Sequence, residues 1–192
     1  MEHDIIAAYA GFPCLISPPS RPLLCARSAR RRSPPKFVLG TSVGAIRQVP
    51  LVLIDLETKK GSYLFCYMRA AVPAIVSLLG EVEHVVKDAA INPAGLWAKL
   101  AQRFTLIGVQ GIVRIAMAGF DIACWDALAI AAGTTLATFL NATDLPLFEY
   151  IDWADVLLEG PLIIAKGYAV VPVRSGNGMI WDKSAVEHYR MR

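Results

Sequence analysis

The sequence predicts an α+β fold, with strands first and helices after them. β-type runs lie before residue 70, apolar spacing of three and four residues takes over from Pro73, and no regular βαβ alternation follows. Length adds a limit. A (β/α)8 barrel takes at least about 200 residues by itself, and the chain has 192, so no TIM barrel is expected. With 55% hydrophobic and 18% charged residues, most of the chain is too apolar to stay unfolded.

Charge divides the chain unevenly. Residues 1–37 carry six basic side chains against two acidic ones, and residues 38–192 carry thirteen against fourteen. The net charge of +3 thus belongs to a Pro/Ser/Arg-rich stretch, RSARRRSPP. A basic run of this kind can meet nucleic acid or anionic lipid, but it reads first as a solvated arm. Residues 1–36 are therefore expected to be a disordered basic leader, with no nucleic acid or membrane as partner. No signal peptide is expected, because the N-terminus is acidic. Ile112 to Leu140 is the most apolar stretch, yet Arg114, Asp121 and Asp126 interrupt it, so no span of about 18 apolar residues exists. Cys14, Cys25, Cys66 and Cys124 lack CxxC spacing, which fits reduced, packed thiols in a cytoplasmic protein.

Taken in order, residues 37–58 read as two β segments around a Gly-rich turn. Ser62 to Tyr67 is a third, with Tyr63, Phe65 and Tyr67 alternating onto one face. Ile75, Leu78, Leu79, Val82, Val85 and Val86 then recur at helical spacing. Asn92-Pro93 is a helix start, since Asn accepts from unpaired N–H groups and Pro suits the first turn. Leu96, Leu100 and Phe104 form the stripe of that helix. A third helix, Gly111 to Ala131, is apolar nearly all round and rich in Ala and Gly, as a central helix should be. Arg114, Asp121 and Trp125 lie along one line of it. Beyond Asn141 come a short amphipathic piece at Asp144 to Asp155, a hairpin turning at Lys166-Gly167, an SGNG loop and a short helix capped by Asp182.

Chemistry is sparse. Gly40 to Gly44, GTSVG, fits the G-x-S-x-G elbow and resembles the serine motif of patatin-like lipases, but a catalytic Ser42 needs a helix directly after it. Here Ile46 to Pro50 leads into another strand-like run, so a plain turn is favoured. His3, His84 and His188 have no ligand-spaced neighbours, and no metal site is expected. Asp152, Asp155 and Glu159 read as a solvated acidic edge. SGNG and GVQG are too short for phosphate loops.

Four longer segments carry a resemblance. They are GTSVGAIRQVPLVLIDLET, SYLFCY, LWAKLAQRFTLIGVQGIVRIAMAGFDIACWDALAIAAG and EYIDWADVLLEGPLIIAKGYAVVPVRSGNGMIWD. Together they resemble the mandelate racemase/muconate lactonising group of the enolase superfamily. The A-G-x-D-x-A-x-W-D string ending in Asp126 is the most specific part. The resemblance implies a capping domain at residues 37–143, with a three-stranded antiparallel meander followed by helices. It also implies a C-terminal segment at 144–192 that returns to pack on the cap as a hairpin and short helix.

Complete relatives would supply a barrel carrying Lys-x-Lys, three acidic Mg²⁺ ligands and a His-Asp pair. Here the chain passes from TTLATFLNA to LFEYIDWAD within a few residues, and Lys166 sits in a hairpin. The resemblance thus implies Mg²⁺-dependent α-proton abstraction from hydroxy-acid or carboxylate substrates in complete members. For this chain it implies no catalytic residue, no bound cofactor and no activity alone. Leu39, Val43 and Ile46 on a first loop and Tyr67 on a second match cap positions that shape substrate specificity, here as vestiges. The loop after Leu56 is shortened, and Ser175 stands where the family usually has Pro. An apolar face left by the missing barrel would favour a second copy or a full-length relative as partner. The rival readings are a module docking onto such a relative and a Ser42 hydrolase.

Overall fold

The structure, a computed structural model, describes residues 26–33, 39–41, 44–46, 49–56, 62–66, 71–141, 152–166 and 168–190. Strands β1 (Ala26–Ser33), β4 (Val49–Leu56) and β5 (Ser62–Cys66) form one antiparallel sheet in the order β1-β4-β5. A separate hairpin, β2 (Leu39–Thr41) with β3 (Gly44–Ile46), lies between β1 and β4 in sequence.

Two expectations are corrected here. Ala26–Ser33, read as part of a disordered leader, is a strand paired with β4 over its full length, from Ala26 opposite Leu56 to Ser33 opposite Val49. The segment after residue 37 belongs to the small hairpin, so the meander takes its first strand from the arginine run. The physical reason is nonlocal. A central strand needs backbone partners on both edges, and a charged strand is well tolerated on a sheet edge. The side-chain period of RSARRRS gives no sign of this.

The helices are α1 (Val72–Val86), α2 (Pro93–Arg103), α3 (Ile112–Ala131) and the one-turn α4 (Leu136–Phe139). Asn92 caps α2 as expected, its side chain accepting from the Gly95 N–H at 3.2 Å. The buried stripes follow the spacing too: Ile75, Leu79 and Val82 on α1, and Leu96, Leu100 and Phe104 on and after α2. Helix α3 touches α1, α2, α4, β4 and β5, which explains its apolar circumference. Its small residues Ala116, Gly119 and Ala123 are buried and allow close approach. Two polar links join α2 to α1: Lys99 Nζ donates to the Val85 carbonyl at 2.7 Å, and Arg103 pairs with Glu81 at 3.2 Å.

Strand β4 is buried along one face and, at Leu51, on the other, where Leu53 is half-buried and Asp55 exposed. Val52, Ile54 and Leu56 join the main core with the helices. Leu51 points the other way and meets Leu157, with Trp181, Val186 and Tyr189 packed around the pair. That second cover comes from a 3-10 turn (Asp152–Leu157) and helix α5 (Lys183–His188). Between them lies a ribbon of β6 (Ile163–Ala165) and β7 (Tyr168–Val170), turning at Lys166 as the sequence predicts. The described residues form no barrel.

Candidate functional site

Helix α3 carries Asp126 where the loop around Gly176 meets it. Asp126 is 1% exposed, and a carboxylate so deeply buried must find donors. One is the Asn177 backbone N–H, which makes a short hydrogen bond to Asp126 Oδ1. The adjoining Gly176 has φ of +75°, and a Cβ there would collide with Asp126 Oδ1 and come within 2.6 Å of Ile130 Cγ1. Only glycine fits that approach. Backbone bonds complete the joint: the Gly176 N–H donates to the Thr134 carbonyl at 2.8 Å, and the Leu136 N–H to the Gly176 carbonyl at 2.6 Å. At the far end, Glu159 N–H donates to Ile180 and Asp182 N–H to Leu157, each at 2.9 Å.

Asp121 lies one turn before Trp125 on α3. Burial pushes its carboxyl up to about 6, partly offset by the hydrogen bond from the Trp125 side chain. The Trp125 ring meets Phe139 of α4 with centroids 6.3 Å apart. Burial, and then the nearby Asp121 charge, hold the Cys124 thiol far above its ordinary range, so it is a packed thiol and no nucleophile. Arg114, on the same line, is exposed.

A cleft of about 240 Å³ opens beside this joint, between α4 and the loop after β7. Thr135, Leu136, Leu140, Val171, Pro172 and Asn177 are among its lining residues, and no titratable side chain is. It supplies no acid or base.

The predicted cap positions are placed only in part. Leu39 and Ile46 stand opposite each other across the β2–β3 hairpin. Val43, Tyr67 and Ser42 lie outside the described residues. Strand β3 begins at Gly44, opposite Thr41, where a nucleophile elbow needs a helix. Asp155 is half-buried beside Leu157, while Glu159 is exposed. His84 and His188 are exposed and far from each other in sequence, the latter edge-on to Tyr189 at 4.8 Å. Among the described residues no three His, Cys, Asp or Glu side chains converge to hold a metal ion, and no helix is long and apolar enough to cross a membrane. Sequence reasoning missed the Asp126 clasp. Its signal was a carboxylate set among buried small residues, which demands a partner.

The profile of the mandelate racemase/muconate lactonizing enzyme N-terminal domain matches residues 25–140, beginning just before β1 and ending after α4. The chain belongs to this family. Solved structures agree with the assignment. An enolase from Bradyrhizobium, complexed with magnesium and mandelic acid, is 29% identical, with a TM-score of 0.61, covering 67% of this chain and 37% of that one. An enolase from an alpha proteobacterium with bound magnesium is 25% identical, with a TM-score of 0.57 and coverage of 64% and 35%. The L-talarate dehydratase of Polaromonas, complexed with magnesium and L-glucarate, shares the fold at 22% identity, with a TM-score of 0.56 and coverage of 65% and 36%. The chain thus spans little more than a third of the length of these family members. Its sheet and helices correspond to the capping domain of the enolase superfamily.

Proposed function

We propose that this chain is a capping domain and terminal segment joined without the barrel between them, and that it has no catalytic activity of its own. The observation that carries the reading is the passage from α4, which ends at Phe139, to the 3-10 turn at Asp152. A stretch that short holds no eight-stranded barrel. The donor set agrees. Magnesium needs several oxygen ligands in near-octahedral array, and the described residues do not fit such a site. No Lys-x-Lys occurs anywhere in the sequence. Asp121 and Asp126, the carboxylates of the specific family string, are engaged with Trp125 and Asn177. Without a polarising ion and a base aimed at one carbon, an enolate has no source of stabilisation.

In this reading the complete relatives abstract an α-proton from hydroxy-acid or carboxylate substrates with Mg²⁺, and the present chain keeps only the cap and the terminal segment, in the cytoplasm. Leu39, Val43, Ile46 and Tyr67 are then vestiges of a substrate-facing rim, because a pocket needs a second wall. The test is solvent exchange. Purified protein with mandelate and Mg²⁺ in D₂O is expected to leave the α-proton in place, and Mg²⁺-dependent exchange would overturn the reading.

A second reading, a module that docks onto a full-length relative, is favoured by one observation: Leu106 and Ile107, in the turn between α2 and α3, are 99% and 68% exposed. Mixing with such a relative and following the elution volume separates the two readings.

A further inference from the structure

The sequence has three asparagines, and the residues after them differ: Asn92 precedes Pro93, Asn141 precedes Ala142 and Asn177 precedes Gly178. The side-chain carbonyl carbon of an asparagine is open to attack by the next backbone nitrogen when that nitrogen carries a hydrogen and stands unshielded. Proline has no such hydrogen, and the Cβ of alanine crowds the approach. Glycine presents neither obstacle.

Packing keeps that glycine in place. Gly178 has a φ of +75°, and a Cβ there would collide with Pro172. A side chain that would slow the attack is therefore excluded. The same loop is also held shut around Asn177. Its N–H donates to Asp126 Oδ1, and its own Oδ1 accepts from the Met179 N–H at 2.9 Å. Gly178 is buried, yet its N–H must meet a base from water before the nitrogen attacks. Both the turning of the Asn177 side chain and the loss of that proton thus require the loop to open locally.

We infer that Asn177 is a deamidation site, and that the Asp126 clasp sets its rate and is undone by its product. In the open loop the Gly178 nitrogen bonds to Asn177 Cγ. The proton of the Gly178 N–H passes through water to Nδ2, the Cγ–Nδ2 bond breaks, and ammonia leaves a five-membered succinimide. Water then opens either carbonyl of the ring, giving aspartate or isoaspartate, and nothing is oxidised or reduced. Either product sets a new carboxylate beside the buried Asp126, where like charges repel. Isoaspartate also adds a methylene to the main chain just before Gly178, whose close packing on Pro172 leaves no slack. The joint between the C-terminal segment and α3 is then open for good. This chemistry is independent of the catalytic reading above, since it needs only water.

The whole chain, incubated at mildly alkaline pH, is expected to show the mass change from amide to acid in the peptide holding Asn177. Enzymatic methylation should detect isoaspartate in the same peptide. Unfolded in guanidinium chloride, the chain should convert at least roughly tenfold faster, because the loop no longer closes. Asp126→Ala, with its helical content checked by circular dichroism, should convert roughly tenfold faster than the folded parent. In the aged parent, cleavage around Gly176 by limited proteolysis should rise in step with the conversion. Four results would each overturn the proposal: equal rates in the folded and unfolded parent, no conversion in the folded parent over roughly a hundredfold the time that the unfolded chain needs, Asn141 converting as fast as Asn177, or a folded Asp126→Ala chain with the rate of the parent. The first three need no variant.

Discussion

The two faces of β4 are covered by unlike regions. On one, Val52, Ile54 and Leu56 meet a core drawn from the almost continuous run 71–131, with Met117, Phe120 and Ala123 of α3 at its centre. On the other, Leu51 meets Leu157 and a few half-buried side chains from the end of the chain. The first cover is broad and apolar. The second is a small plug, and the same C-terminal segment also carries the Gly176–Asn177 clasp on α3 and a ribbon with apolar side chains open to solvent. Burial scales with area removed from water, so the helical layer decides whether the chain folds. The C-terminal segment decides what the folded chain can touch.

Substitutions separate the two regions. The largest effect is expected from Phe120→Ala, at a fully buried side chain of α3. Loss of its contacts should cost about 3–5 kcal/mol, a large share of the roughly 5–15 kcal/mol that holds a domain together. Denaturant unfolding should show the whole cooperative transition moving.

Asp126→Ala should act more narrowly. It leaves the Asn177 N–H without its carboxylate, at about 1–3 kcal/mol. Limited proteolysis is expected to open the loop around Gly176 while amide protection in α1–α3 persists. Equal loss of protection in both regions would show that the C-terminal cover and the helical layer are one cooperative unit.

The smallest effect concerns pH. The Asp121 carboxyl rises from its ordinary 3.8 to about 6 in the folded chain, so the folded state binds that proton more tightly than the unfolded state. Its contribution is most favourable below about pH 4 and is lost as pH rises through the window from 4 to 6. Asp121→Asn should remove this slope and add about 1 kcal/mol at pH 7, after allowance for partial solvent screening. The difference in unfolding free energy between variant and parent, measured across pH 4 to 7, checks it. A flat difference places Asp121 in water and not in the core.

Local features were legible because their causes are local. Asn92-Pro93 begins α2, Asp182 accepts from Ser184 and Ala185 at 2.9 and 3.0 Å, and the chain turns at Lys166. In each case the partner lies within a few residues, and one side chain or one φ value suffices. The family string around Asp121, Trp125 and Asp126 was legible too, although its work was not. Asp126 reaches an N–H far along the chain, and no spacing rule connects it to Gly176.

By itself, then, the sequence determined that strands precede the helices, the buried stripes of α1 and α2, the central place of α3 and the family. Each follows from periodicity or from a short pattern, which the chain carries wherever it lies in space. Tertiary structure alone decided that the arginine run becomes the strand beside β4, that Leu157 packs on Leu51 of its second face, and that Ile163 and Tyr168 remain open. Those outcomes depend on which edge lacks hydrogen-bond partners and which apolar face lacks a cover, and neither exists until distant residues meet.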